Sequence, residues 1–239
     1  MMQIFVVTAF PKFLDVPLHE SIVKRAQEKN IVAIHSVDLR DFTNDKHKQV
    51  DDYPYGGGPG MILKPEPFFQ AVEHLCDTYG LKKPRIVLMT PQGRRYNQEI
   101  ALEYSEIDEL ILLCGHYKGV DERVREYLAN DEISIGDYIL TGGELAAMII
   151  VDSVVRLLPG VIGDLNSAKT DSFAQSLLDY PHYTRPENLN GMQVPDILLS
   201  GHHAEIDKWR REKAVQRTKQ RRSDLLEVNP EFEKNQVEV

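Results

Sequence analysis

Glycine-containing turns follow apolar segments at four places in the chain. They are residues 55–60 (YGGGPG), 90–93 (TPQG), 114–119 (CGHYKG) and 140–144 (LTGGE). Glycine at such turns lets backbone N–H and C=O groups approach a ligand closely. The last three turns stand at the C-terminal ends of candidate strands, which is where open α/β sheets bind ligands. The pattern therefore predicts a shared pocket whose ligand is held by main-chain groups.

The glycine turns do not carry the common phosphate-binding signatures. There is no G-x-x-x-x-G-K-[ST] loop and no G-x-G-x-x-G opening a helix after the first strand. A pocket with main-chain donors and apolar walls suits an adenosine without phosphates better. Cys76 and Cys114 stand alone and the histidines lack a ligand set, so no zinc site is predicted.

Two charged residues are candidates for acting on a bound substrate. Arg156 lies in the apolar run VVRLLPG, where a buried guanidinium needs an anionic partner or a ligand. Alternatively, Arg156 stabilises the C-terminal end of its helix. Asp171, in KTDSF, is either the N-cap of a helix over 172–178 or a general base on a mobile lid. These residues alone leave both alternatives open.

Alternating strand and helix patterns must position these turns. Apolar runs predict strands over 3–10, 31–39, 85–90, 110–114 and 132–140, and helical spacing occurs over 19–29, 67–79, 98–107 and 145–158. The alternation predicts an α/β fold with a mostly parallel sheet. The polar stretch 161–175 is typical of a linker, and residues 176–239 are expected to be extended first and then helical.

The charge is unevenly distributed along the 239 residues. The net charge of −9 argues against a protein that coats nucleic acid by bulk charge, yet residues 208–222 carry eight basic side chains and one acid. Arg210, Lys213, Arg217 and Arg221 are spaced 3, 4 and 4 apart and share one helix face. This face is either a solvated helix surface or a phosphate-binding stripe.

The remaining composition bears on location. No apolar run reaches the roughly 18 residues of a membrane span, and no secretory leader is evident at the N-terminus. The two cysteines do not make a disulfide framework. The expected location is the cytoplasm.

Several long motifs, taken together, resemble the bacterial tRNA (guanine-N1)-methyltransferase family, TrmD, over nearly the whole chain. They are 50–61 (VDDYPYGGGPGM), 114–123 (CGHYKGVDER), 134–148 (SIGDYILTGGELAAM), 171–173 (DSF), 177–186 (LLDYPHYTRP) and 194–209 (VPDILLSGHHAEIDKW). The resemblance implies a SPOUT-type methyltransferase with a deep trefoil knot in an α/β domain over 1–160. It also implies a flexible lid over 161–175 and a helical tRNA-binding domain over 176–239.

The resemblance further implies the reaction and its partners. The methyl donor would be S-adenosyl-L-methionine, and the acceptor would be N1 of guanosine 37, immediately 3′ of the tRNA anticodon. The enzyme would be an obligate homodimer with each active site at the subunit interface. Members of the family need magnesium, but no dedicated metal site is evident in the sequence, so Mg²⁺ would be recruited with the substrate.

Site residues follow from the same resemblance. The donor would be bound by Pro91, Gln92, Gly93, Gly115, Ser134, Ile135, Gly136, Asp137, Tyr138, Ile139, Leu140, Gly142 and Gly143. The guanine pocket would include Asp51, Asp52, Gly57, Gly58, Pro59 and Gly60. Asp171 matches the general base and Arg156 the residue that stabilises charge on guanine O6. Two positions depart from the family pattern: Lys118 replaces the usual Glu, and Ser176 the usual Gly.

Two other functions remain open. One is an RNA-binding module of the same fold with impaired donor binding, as Lys118 suggests. The other is a related methyltransferase that acts on rRNA.

Overall fold

The structure is a computed structural model that describes residues 1–163, 171–173 and 176–227. The chain divides into two compact units, Met1–Gly163 and Asp164–Val239, close to the boundary expected after residue 160. Most of the predicted linker, together with residues 228–239, lies outside the described residues.

The first unit contains seven strands and six α-helices. The strands are β1 Met2–Thr8, β2 Val32–Asp38, β3 Asp51–Asp52, β4 Ile62–Leu63, β5 Arg85–Arg95, β6 Glu109–Cys114 and β7 Asp131–Ser134. The helices are α1 Asp15–Leu18, α2 Ser21–Glu28, α3 Pro65–Tyr79, α4 Gln98–Ser105, α5 Glu122–Tyr127 and α6 Glu144–Val155. Short 3-10 turns cover Pro11–Leu14 and Leu39–Phe42.

The central sheet has five strands in the order β2-β1-β6-β5-β7, and every pairing is parallel. The predicted parallel α/β sheet is therefore confirmed. A parallel sheet is covered on both faces, which requires strands that are apolar on both sides. In β1, Ile4 packs in the cluster that includes Ile150 of α6, while Phe5 packs in the opposite cluster with Phe68 of α3.

Two strand predictions had the wrong length. The strand expected over 132–140 ends at Ser134, because the chain turns at Gly136, whose φ of +146° is readily adopted only by glycine. The strand expected over 85–90 continues to Arg95, although its pairing with β7 is interrupted between Met89 and Arg94. The short β3–β4 ladder and helix α5 were not predicted.

In its described residues, the second unit contains a short hairpin followed by helices. The hairpin pairs β8 Asn188–Leu189 with β9 Met192–Gln193, and the helices are α7 Asp196–Leu199, α8 His203–Arg221 and α9 Asp224–Glu227. Leu177, Ala214, Val215 and Leu226 form its small core. Across the described ranges of both units, no helix is long and apolar enough to span a bilayer.

Candidate active site

A cleft of about 440 Å³ opens at the C-terminal ends of β5, β6 and β7. These three strands are neighbours in the sheet, so the turns that follow them meet at one edge. The segments 88–92, 115–120, 133–136 and 138–143 supply most of the lining. Three of the four glycine turns found in the sequence therefore converge, as predicted from their positions after strands.

Eleven of the expected donor-binding residues line this cleft. They are Pro91, Gln92, Gly115, Ser134, Ile135, Gly136, Tyr138, Ile139, Leu140, Gly142 and Gly143. The two exceptions, Gly93 and Asp137, are not among the lining residues. A Cβ at Gly93 would overlap the peptide between Glu132 and Ile133, so this glycine allows β5 to pack against β7. The side chain of Asp137 is 90% exposed and lies 3.8 Å from Arg95.

The floor of the cleft is made of closely packed backbone. The amide of Gly143 donates a 2.8 Å hydrogen bond to the carbonyl of Gly115, which joins two of the glycine turns. A Cβ at Gly143 would lie only 2.9 Å from the α-carbon of Cys114 and 3.0 Å from Cβ of Met89. Gly143 therefore lets the start of α6 approach the ends of β5 and β6 more closely than a side chain allows.

A buried carboxylate lies directly behind this floor. Glu144, 5% exposed, accepts a 2.5 Å hydrogen bond from the hydroxyl of Thr8 at the end of β1. The N-terminus of a helix favours negative charge, and Glu144 is the first residue of α6. Burial raises the pKa of the Cys114 thiol, and the Glu144 carboxylate adds to the rise. Sequence reasoning missed this pair, although an acid that opens an apolar helix was a signal for it.

Charged side chains border the cleft on the side of α5. Arg125 lines the cleft, hydrogen bonds to the side-chain oxygen of Gln92, and has its Nε 3.0 Å from Glu132. Lys118 also lines the cleft and is exposed. The cleft thus combines main-chain groups, apolar walls and a few charged residues near its rim.

The loop expected to form the guanine pocket lies beside the cleft rather than in its lining. Asp51 and Asp52 form β3, and Gly57, Gly58, Pro59 and Gly60 form an exposed turn before β4. The amide of Lys118 donates to the carbonyl of Met61 at 3.1 Å, and Leu63 donates to Gly119 at 3.0 Å. A Cβ at Gly60 would lie 2.6 Å from Cγ of Lys118. The turn is therefore attached to the 115–120 segment of the cleft.

The two candidate catalytic residues belong to different units. Arg156 is half-buried at the C-terminal end of α6, where its amide donates to the carbonyl of Asp152. Asp171 belongs to the second unit, and residues 171–173 and 176–178 form bends, turns and irregular structure. The interpretation of Asp171 as the N-cap of a helix over 172–178 is therefore wrong.

The four basic residues with helical spacing all lie on α8. Arg210 is half-buried, with its guanidinium 5.2 Å from the ring centroid of Tyr180. Arg217 is also half-buried and donates a 2.9 Å hydrogen bond to the carbonyl of Asp179. Lys213 is half-buried as well, whereas Arg221 is exposed. Three of the four side chains thus pack partly against their own unit.

A dedicated metal site is not evident in the described part of the chain. Among residues 1–163, 171–173 and 176–227, no group of three His, Cys, Asp or Glu side chains is arranged to hold a metal ion.

The sequence matches one protein family along almost its whole length. The model of the family "tRNA (Guanine-1)-methyltransferase TrmD" matches residues 2–228. A curated tRNA (guanine-N(1)-)-methyltransferase of Geobacillus kaustophilus is 58% identical over 96% of this chain and 93% of its own length. Its namesake in Clostridioides difficile is 48% identical over 96% of this chain and 100% of its own. This chain, with its cleft at the ends of β5, β6 and β7, belongs to the tRNA (guanine-1)-methyltransferase TrmD family.

Proposed function

We propose that this protein methylates N1 of guanosine 37 in tRNA with S-adenosyl-L-methionine as the methyl donor. The observation that carries the proposal is the cleft, which eleven of the thirteen expected donor-binding residues line. Family membership and the names of the relatives support methyl transfer to guanine N1 of tRNA. Position 37 and the donor come from the resemblance of the motifs.

The cleft fits a donor that carries an adenosine group. Its main-chain turns at Gly115 and at 134–136 offer backbone donors and acceptors, and Ile135, Ile139 and Leu140 offer apolar surface. Within the 134–136 turn, the hydroxyl of Ser134 bonds to both backbone groups of Gly136, which fixes the turn. When bound, S-adenosyl-L-methionine supplies a methyl group that is already activated by its positive sulfur.

The acceptor requires a base, since N1 of guanine carries a proton at neutral pH. In the proposed reaction this proton passes to the carboxylate of Asp171, and N1 forms its bond to the methyl carbon. The bond between methyl carbon and sulfur breaks, and its electron pair stays on sulfur. Loss of the proton builds negative charge on guanine O6, and we propose that the guanidinium of Arg156 stabilises this charge.

We also propose the deep trefoil knot and the homodimer that the resemblance implies. The knot is supported by the close approach of the turns 114–119 and 140–144. His116 forms a β-bridge with Gly142, and the amide of Gly143 donates a hydrogen bond to the carbonyl of Gly115. Support for the dimer is an apolar groove on α6, where Leu145 and Ile149 are 49% and 45% exposed. This groove shares Ile135, Tyr138 and Leu140 with the cleft, as an active site at a subunit interface requires.

Binding of tRNA is assigned to the second unit. Its helix α8 carries the basic run, and Arg221 is exposed there. Contacts between basic side chains and phosphates position an RNA, while a pocket reads the base. The loop with Asp51, Asp52 and 57–60 is proposed to contribute to the guanine pocket, and Mg²⁺ is proposed to enter with the RNA.

A methyl-transfer assay with variants of one tRNA transcript tests the proposal. Radiolabel from S-adenosyl-L-methionine is expected in a transcript with G at position 37 and absent from the same transcript with A. Asp171→Asn is expected to keep donor binding and lose most of the turnover. If a folded dimer transfers no label to the transcript, the proposal is refuted. If label appears in rRNA fragments and not in tRNA, the protein is the rRNA methyltransferase instead. Failure of the donor to bind in calorimetry identifies the RNA-binding module.

A further inference from the structure

Residues 90–93 form a bulge within β5, where the pairing of this strand with β7 is interrupted. The two residues that flank this segment, Met89 and Arg94, both pair with the same residue of β7, Ile133. Thr90, Pro91 and Gln92 line the cleft, while Gly93 rests on the peptide between Glu132 and Ile133. The shape of this part of the cleft therefore depends on how firmly β7 holds the two sides of the segment.

Arg94, the residue that follows the segment, is held by a carboxylate of β7. Arg94 donates two hydrogen bonds to Asp131, from Nε at 3.1 Å and from Nη2 at 2.6 Å. The side chain of Asp131 is only 10% exposed and also accepts hydrogen bonds from Tyr104 at 2.8 Å and Arg85 at 3.2 Å. A two-bonded arginine–carboxylate pair fixes both distance and orientation. Arg94 is thus fixed immediately after the segment that lines the cleft.

The next residue of β7 holds the other side. Successive side chains of a strand point to opposite faces, so Glu132 and Asp131 extend away from each other. Glu132 lies 3.0 Å from Nε of Arg125, and Arg125 hydrogen bonds to the side chain of Gln92. Two consecutive acids of one strand therefore act on this segment indirectly, Asp131 through Arg94 and Glu132 through Arg125.

We propose that Asp131 is a positioning residue for the methyl donor, acting through Arg94 to hold residues 90–93 in the shape that binds it. Asp131 itself is not in the lining of the cleft. A loop already held in its bound shape binds more tightly, because less conformational entropy is lost on binding. This inference rests on the proposed function, since it assumes that S-adenosyl-L-methionine binds in the cleft.

Donor binding to the full-length chain, measured by calorimetry, tests the role of Asp131. Asp131→Asn keeps the size of the side chain and weakens the hold on Arg94, so S-adenosyl-L-methionine is expected to bind about tenfold more weakly. The KM for the donor should rise by a similar factor, while kcat at saturating donor stays near that of the unsubstituted protein. If Asp131 only supported the fold, Asp131→Asn would lower the melting temperature, and it would not raise the KM for the donor while leaving kcat unchanged.

Glu103→Gln is the matched control. Glu103 also contacts Arg94, at 3.0 Å, but it lies on α4 and is 39% exposed. The substitution removes the same charge from the same cluster, yet donor affinity is expected to stay within about twofold, as is usual for an exposed pair. Equal losses in the two variants would overturn the proposal, and so would unchanged affinity in folded Asp131→Asn.

A second variant covers the case in which Asp131→Asn does not fold. Arg94→Lys keeps the positive charge but cannot make the two-bonded contact, and it is expected to weaken donor binding in the same direction. Unchanged donor affinity in this variant also overturns the proposal. If the unsubstituted protein does not bind the donor, the proposed function is refuted. If the protein and its variants bind the donor equally well, only the role of Asp131 is refuted.

Discussion

Replacement of Gly143 by alanine tests how closely α6 must approach the ends of the strands. The added Cβ would lie 2.9 Å from the α-carbon of Cys114, 3.0 Å from Cβ of Met89 and 3.1 Å from the amide nitrogen of Gly115. Non-bonded carbon atoms normally lie about 3.5–4.0 Å apart, so the approach to the backbone of Cys114 is too close by roughly 0.6–1.1 Å. Because two of these three neighbours are backbone atoms, the start of α6 must move away from the sheet.

The expected cost is that of an overpacked core, about 1–3 kcal/mol in the free energy of unfolding. For a unit of this size the melting temperature falls by about 2–4 °C for each kcal/mol, which gives a decrease of roughly 2–12 °C. The same shift lengthens the bond between Gly143 and Gly115 in the floor of the cleft. Donor affinity is therefore expected to fall together with stability.

Thermal unfolding followed by circular dichroism, with donor titration by calorimetry at 25 °C, measures both effects. Gly163→Ala is the matched control, because its Cβ would meet nothing within 4 Å. That variant is expected to be neutral or slightly more stable, since alanine reduces the entropy of the unfolded chain. A Gly143→Ala protein with unchanged melting temperature and donor affinity would refute the packing argument.

Three other substitutions address stability, assembly and pH dependence. Thr8→Val leaves the Glu144 carboxylate buried without its donor, which is expected to cost about 1–3 kcal/mol in urea unfolding; an unchanged midpoint contradicts this. Ile149→Lys places a charge in the apolar groove of α6 and is expected to convert the proposed dimer to monomers in sedimentation, and a dimer of unchanged stability would exclude this face. Burial alone would raise the pKa of Asp131, but hydrogen bonds from Arg94 and Tyr104 outweigh it and hold the pKa below its ordinary value. Because the depressed pKa belongs to the folded state, this stabilisation is present above about pH 4 and is lost in stronger acid. The stability difference between the unsubstituted protein and Asp131→Asn should shrink as the pH falls below about 4, and a difference independent of pH would contradict this.

The sheet could be predicted because its signal is local. The runs in β1 and β6 are apolar on both faces, and such runs indicate strands buried between two layers of helices. Glycine turns at the strand ends then predicted the position of the cleft, since parallel strands bring their C-terminal ends to one edge. Eleven donor-binding residues assigned by resemblance line this cleft.

The partners in the interactions that stabilise the cleft could not be predicted, because these interactions join distant parts of the chain. Thr8 and Glu144 are 136 residues apart, and Arg94 and Asp131 are 37 residues apart. The extension of β5 was missed for a different reason. Pro91 and Gly93 are residues that normally end a strand, yet pairing with β7 resumes at Arg94.

The order of the strands in the central sheet also has a consequence for synthesis of the chain. Strand β1 lies between β2 and β6, so one of its edges stays unpaired until residues 109–113 have been made. A ribosome adds about 5–20 residues per second, so roughly 5–21 seconds separate the synthesis of Val7 from that of its partner Leu113 in β6. An unpaired strand edge is a template for association with other chains. The strand order therefore sets the time during which this edge of the nascent chain is open to such association, and slower translation before β6 prolongs it.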